Sequence, residues 1–157
     1  MKILIVYATK YGATKEIVGK LEGYLEGDVT TCNIDDKPTI KPKDYDCVII
    51  GSPVVAGAIK KGIKEFAQNN VKELQEKKVG IFVSGLAEDG MSDYLRNNFP
   101  KELLATAKEK AFLGGIYDPQ KCNFFARMIL KAVAKMDKYT NTIEDEKISS
   151  FAKNLMM

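Results

Sequence analysis

The stretch KILIVYATKYGAT, residues 2–14, decides the fold. From Ile3 to Tyr7 it is an unbroken apolar run rather than an alternating one. That is the pattern of a strand buried on both faces of a parallel sheet, so residues 2–7 are predicted as strand. A polar break from Ala8 to Thr14 follows, and Ile17, Val18, Leu21 and Leu25 then recur at helical spacing until Gly27 and Asp28 punctuate the end. A strand that passes through a short polar loop into a helix is the repeating half of an α/β domain.

Working outward, the unit repeats. Residues 28–34, DVTTCNI, alternate weakly and read as a shorter edge strand. After the polar connector DDKPTIKPKDYD comes a second buried run, DCVIIGSP, predicted to stop sharply at Gly51 and Pro53; Ile59, Ile63, Phe66 and Ala67 then share one helical face. KKVGIFVSG at 77–85 is the fourth strand. The helix after it carries Leu95, Phe99, Leu103 and Leu104 and is kinked or split by Pro100. KAFLGGIYD at 110–118 reads as the fifth strand. Ile148, Phe151, Ala152, Leu155 and Met156 supply a closing helix, with Thr142 and Asp145 offering it an approximate capping box. Five strands alternating with helices imply an open, doubly wound α/β sheet whose ligands bind beyond the carboxyl ends of the strands. One segment, about 119–141, has no place in this alternation and predicts an extra helical piece before the last helix.

At 157 residues the chain suits one domain, 1–157, and 45% hydrophobic with 29% charged residues is the balance of a chain that folds alone. The first apolar run is too short for a signal-peptide core or a membrane span, so a cytoplasmic location is expected. Histidine is absent, which removes the commonest metal ligand and the commonest general base; the chemistry is expected from a cofactor, with no metal site and no catalytic side chain. Cys32, Cys47 and Cys122 are odd in number and widely spaced, and read as reduced structural thiols. A net charge of +3, evenly mixed, gives no sign of nucleic-acid binding.

The loop after the first strand, Thr9, Lys10, Tyr11, Gly12, Ala13, Thr14, joins hydroxyls, backbone N–H groups and a helix N-terminus into a site for phosphate; the plainer alternative is a polar turn with ordinary caps. Rival phosphate motifs each lack a part. There is no GKS or GKT and no GxGxxG. Where a receiver domain needs acids, Ala8-Thr9 and Gly51-Ser52 stand, and the first loop holds no cysteine for a phosphatase.

TKYGAT after strand one, GSPVVAGAIKKGIKEF after strand three and VSGLAEDG after strand four together resemble the flavodoxin family over the whole chain. The resemblance implies a flavodoxin-like five-stranded parallel sheet of order 2-1-3-4-5, with helices on both faces, that holds FMN and transfers electrons to redox protein partners. It implies that Thr9, Lys10, Tyr11, Gly12, Ala13 and Thr14 hold the phosphate. Ser52, Pro53, Val54, Val55, Ala56, Gly57 and Ala58 would cover one face of the flavin ring, and Ser84, Gly85 and Leu86 with Asp89 and Gly90 the other side. Within the superfamily, YDCVIIGSPVVAGAIKKGIKEF and FLGGIYDPQKCNFFARMILKAVAKM look like the menaquinone-dependent protoporphyrinogen dehydrogenases. That implies, as an alternative, an FMN-dependent oxidoreductase with a tetrapyrrole substrate and a quinone acceptor. A non-redox module that binds another phosphate ligand, or a protein, is the third reading. The loop after strand three departs from the family by offering Val54 and Val55 where an aromatic residue is often seen.

Three further expectations follow. Val54-Val55-Ala56-Gly57 predicts a type II-like turn that presents the Ala56 carbonyl to a flavin N5–H, with Gly57 making the peptide flip inexpensive. In the extra segment Phe125, Met128, Ile129, Ala132, Val133 and Met136 share one helical side and Arg127, Lys131, Lys135 and Lys138 another. Either that helix packs on its own domain with a solvated basic face, or residues 122–138 dock on anionic lipid at the inner face of the membrane, an acidic protein or a propionate-bearing substrate. Lys60, Lys61 and Lys64 extend a basic rim or simply solubilise a helix, and Asp35, Asp36, Asp44 and Asp46 read as solvated turns.

Overall fold

The computed structural model describes all 157 residues. The chain runs β1 (Lys2–Tyr7), α1 (Ala13–Tyr24), β2 (Asp28–Asn33), β3 (Cys47–Val55), β4 (Ala58–Ile59), α2 (Lys61–Asn69), α3 (Val71–Gln75) and β5 (Lys78–Ser84). It continues through α4 (Met91–Asn98), α5 (Lys101–Thr106), β6 (Glu109–Phe112), β7 (Ile116–Tyr117), α6 (Phe124–Ala134), β8 (Thr140–Asn141) and α7 (Asp145–Met156). Strands β2, β1, β3, β5 and β6 lie side by side in that order, all parallel, and β4 folds back antiparallel on the end of β3. Without the short β4, this is the expected 2-1-3-4-5 arrangement.

The unbroken apolar run of β1 has a plain cause. Ile3, Ile5 and Tyr7 enter one core with Ile17, Val18 and Leu21 of α1 and Ile148, Phe151 and Leu155 of α7. Leu4 and Val6 enter the other, with Ile63 and Phe66 of α2, Leu74 of α3 and Leu95 of α4. Every side chain from Ile3 to Tyr7 is therefore withdrawn from water, each large aliphatic one contributing about 1.5–3 kcal/mol. Phe82 of β5 meets Phe151 of α7 edge-on, their centroids 6.1 Å apart, and locks the closing helix to the sheet.

Four sequence expectations are corrected. First, β3 does not stop at Pro53 but runs to Val55. The Gly51 carbonyl accepts from the Ala8 N–H on the β1 side, and Pro53, two residues on, faces that side after β1 has ended; its missing N–H therefore costs no ladder bond. Second, the fifth strand breaks after Phe112, because the chain turns through Gly114 (φ 81°) before β7 pairs antiparallel with β8. Third, the proposed capping box is absent. The Thr142 hydroxyl accepts instead from the Gly115 N–H at 3.0 Å, and Asp145 is engaged by the Lys20 ammonium at 3.1 Å and the Tyr24 hydroxyl. Fourth, the helix of the extra segment is limited to α6, and its apolar side does not pack on the domain: Phe124, Phe125, Met128, Ile129 and Val133 are all exposed. The split at Pro100 is as expected, α4 ending at Asn98 and α5 starting at Lys101.

Candidate functional site

After β1 the chain crosses to β2 on one side, and β3 lies on the other. The carboxyl ends of β1 and β3 therefore open a crevice where the connections diverge. The first loop forms its rim. The Thr9 hydroxyl accepts from the Gly12 N–H at 3.1 Å, and Gly12, at φ 98°, turns the chain into α1 in a conformation that a Cβ would oppose. The first intrahelical bond runs from Glu16 N–H to the Gly12 carbonyl at 3.0 Å. The N–H groups of Ala13, Thr14 and Lys15 thus come before any helical acceptor, at the positive end of the dipole. Lys10 extends over the Tyr11 ring, 5.1 Å from its centroid.

Thr14 is different from its neighbours. Its hydroxyl is buried and lies 2.8 Å from the Ser84 hydroxyl at the end of β5, so both side chains that the sequence reading gave to a ligand join two loops instead. Ser52 is likewise buried. Its hydroxyl donates to the Pro53 carbonyl and accepts from the Lys60 N–H, each at 3.0 Å, which fixes the base of the β3–β4 hairpin.

That hairpin pairs Val54 with Ile59 and Val55 with Ala58, leaving Ala56 and Gly57 as a two-residue loop. Ala56 has φ 50° and Gly57 φ 78°; two positive values make the type I′ turn, not the type II-like turn expected. The reason is strand pairing: only a primed turn carries the right-handed twist of the two strands it joins. Asn98, which the sequence reading overlooked, holds the hairpin from below. Its amide donates to the Gly57 carbonyl at 2.9 Å and the Tyr94 carbonyl at 2.8 Å, and its oxygen accepts from the Ile59 N–H at 3.3 Å. A polar residue three positions after Leu95, on the buried side of α4, was the available signal.

Lys10, Pro53, Val55, Ala58, Ile59 and Lys60 line a cavity of about 220 Å³ between the first loop and the hairpin. The Lys60 ammonium is 3.6 Å from Asp35 and that of Lys61 is 3.5 Å from Glu65, so the basic rim is partly neutralised, and Asp35 is more than a solvated turn. Tyr7, the last residue of β1, has its phenol pushed upward by burial first and then by Asp36 and Cys32, and stays protonated at neutral pH.

The fourth loop closes the remaining side. The Gly85 N–H donates to the Gly114 carbonyl at 3.0 Å, and Gly115 approaches the Gly85 carbonyl where no Cβ would fit. Leu86 is half-buried; Asp89 is exposed, and Gly90 lies beneath the Tyr94 ring at the start of α4. Glu88 and Met91, on either side of Asp89 and Gly90, line a separate groove of about 500 Å³ with β6 and α7. That groove is larger, but it follows the open edge of β6, and Glu88, Glu109, Glu144 and Glu146 in its lining oppose an anion. The structure thus gathers Thr9–Thr14, Pro53–Ala58 and Ser84–Gly85 at one end of the sheet, with Asp89 and Gly90 toward the β6 side.

The model of the flavodoxin domain family matches residues 4–143. The chain belongs to that family. No match is found among curated protein sequences. Among solved structures, oxidised Flavodoxin 2 from Bacillus cereus is similar with a TM-score of 0.64 at 20% identity, covering 99% of this chain and 98% of that one. Oxidised Flavodoxin 1 from the same organism gives 0.62 at 15% identity over 99% and 97%. The Fusobacterium nucleatum flavodoxin bound to flavin mononucleotide gives 0.53 at 17% identity over 99% and 96%. At these identities the likeness is one of fold. The flavodoxin domain here differs from a bare alternation of strands and helices by the β7–α6–β8 insertion, and no helix in it is long and apolar enough to cross a membrane.

Proposed function

We propose that this flavodoxin domain binds one FMN non-covalently at the carboxyl ends of β1, β3 and β5 and carries electrons between redox protein partners. The observation that carries the reading is the first loop, which leads into the N–H groups of Ala13, Thr14 and Lys15 at the start of α1 and places Lys10 in the wall of the cavity that Pro53 and Val55 also line. Free N–H donors at a helix start, beside a lysine, suit a dianionic phosphate, and the apolar wall of Pro53, Val55 and Ile59 suits a flat aromatic ring. FMN supplies one- and two-electron chemistry when bound. The chain's own part is to hold and tune. Thr9 and the α1 N-terminus fix the phosphate, while Val54 and Val55 keep water from one ring face and Gly85 and Leu86 from the other. The Gly57 carbonyl is taken by Asn98, so the Ala56 carbonyl is the acceptor that the turn offers to a ring N–H.

The test is uptake of FMN by the purified protein, read as a flavin absorption spectrum, with riboflavin in parallel. Tight FMN binding with much weaker riboflavin binding supports the phosphate cradle. Folded, colourless protein that takes up no FMN overturns the reading.

A second reading is an FMN-dependent oxidoreductase of the menaquinone-dependent protoporphyrinogen dehydrogenase kind. It is favoured by a hairpin that sets exposed Val55, not an aromatic ring, beside the cavity, which leaves room for a bulky tetrapyrrole or quinone. In this reading residues 122–138 give a peripheral contact with the membrane. Anaerobic turnover of protoporphyrinogen with menaquinone, set against reduction by a ferredoxin or flavodoxin reductase, distinguishes enzyme from shuttle.

A further inference from the structure

Helix α6 shows to solvent what a helix of a domain in water normally buries. Phe124 is 70% exposed, Phe125 75%, Ile129 61% and Val133 81%, while only Ala126 and Leu130 of the helix are partly covered. Nor does a core impose the helix. Its start is capped by the Asn123 side chain, which accepts from the Ala126 N–H at 2.8 Å, and its end by Lys135 at φ 52° with the Met136 N–H on the Leu130 carbonyl. At 100° per residue, Phe124, Met128, Ala132, Phe125, Ile129 and Val133 fill one continuous half of the wheel. Arg127 and Lys131 border it on the Phe124 side, their stems placed to reach along an apolar layer with the charge at its edge.

Charge selects the occupant of this face. Lys121, Arg127, Lys131 and Lys135 occur without a single acid between residues 119 and 136. A second copy laid on the face would bring two such sets together, whereas an anionic surface would attract them. The insertion also leaves the domain at the end of the sheet that holds the candidate site. Gly115 at its base packs on the Gly85 carbonyl, and Thr142 at its return bonds Gly115.

We propose that α6 lies flat in the interface of a membrane rich in anionic lipid, its apolar half among the upper acyl chains and Lys121, Arg127, Lys131 and Lys135 among the headgroups. Eleven residues span about 16 Å, enough to lie in that layer and far too little to cross it. The inference deepens the peripheral-contact reading and rests on it, with lipid binding and flavin uptake measured separately so that either can fail alone.

The experiment is co-sedimentation of the full chain with vesicles of equal parts phosphatidylglycerol and phosphatidylcholine, and with phosphatidylcholine alone. The wild type sediments with the first far better than with the second, and raised salt weakens the binding. Arg127→Gln with Lys131→Gln lowers the partition coefficient roughly 30-fold. Phe125→Ser with Ile129→Ser lowers it at least about tenfold, and both pairs keep FMN uptake. The chain has no tryptophan, so Phe125→Trp places one reporter whose emission shifts to the blue on the anionic vesicles. Wild type that stays in the supernatant, a serine pair that binds as well as wild type, or a dimer in solution that the serine pair dissolves would each overturn the proposal.

Discussion

The Thr14 hydroxyl at the start of α1 and the Ser84 hydroxyl at the end of β5 face each other at 2.8 Å, both buried, across 70 positions of sequence. The bond fastens the first loop of the site to the fourth. Thr14→Val keeps the shape but leaves Ser84 without a partner in the interior, and costs about 1–3 kcal/mol of stability. Ser84→Ala does the same in reverse. Because both changes break one bond, the double variant is destabilised by less than the sum of the singles, with a coupling of about 1 kcal/mol in urea unfolding. Strict additivity would show that the two hydroxyls do not depend on each other.

Ala56 and Gly57 form the other constrained element. Alanine at φ 50° occupies a region that L residues with a plain Cβ avoid, whereas asparagine tolerates it. Ala56→Asn creates the preferred pair for a type I′ turn and raises stability by about 1 kcal/mol. Gly57→Ala meets no neighbouring atom, so its cost is conformational alone, about 1 kcal/mol. Flavin potentiometry on the same variant reads the turn's effect on the bound ring. An unchanged one-electron couple removes Gly57 from redox tuning.

Asn98 provides a third test. Removing its amide in Asn98→Ala strands the Gly57 carbonyl and the Ile59 N–H, and a stability loss of about 2–3 kcal/mol is expected. Asn98→Asp retains an acceptor for Ile59 but turns a carboxylate toward the Gly57 and Tyr94 carbonyls, and is no less damaging at neutral pH. The hairpin wall of the cavity loosens in both, so FMN affinity falls with stability. An alanine variant that binds FMN with unchanged affinity would separate the hairpin from the flavin site.

The sheet was legible because burial on both faces leaves a direct mark: Ile3–Tyr7, Cys47–Ile50 and Val79–Val83 are apolar throughout, and a strand between two helical layers has no other way to be. The first loop was legible for the same kind of reason, since Gly12 and its flanking hydroxyls sit between a strand and a helix. What sequence did not reveal depends on partners far along the chain. The Thr14 hydroxyl looks like a phosphate ligand until Ser84 is seen opposite it, which leaves only its N–H for an anion. Asn98 gains its meaning from a carbonyl 41 residues earlier. The fifth strand reads as continuous because Gly114 and Gly115 break it through contacts with Thr142 and Gly85, which no local pattern records. For α6, helical periodicity identified the apolar side but is silent on whether the domain covers it.

The three cysteines make a final prediction on pH. All are free, Cys32 and Cys47 buried and Cys122 half-exposed. Burial pushes the Cys47 thiol up to about 11, with Asp46 adding to it and Lys78 opposing, and burial together with Asp36 raises Cys32 as well. A thiol that holds its proton more tightly in the folded chain than in the unfolded one favours folding below the unfolded value, near 8.5–9, and that contribution is lost as pH rises from there toward 11. Stability therefore declines on the alkaline side over that window, and Cys47→Ala, although destabilising through its cavity, flattens the decline. At neutral pH a thiol reagent titrates one cysteine per native chain, Cys122, and reaches the other two only on unfolding. Rapid labelling of all three in the native protein would show that the end of the sheet at Cys47 opens far more often than its packing allows.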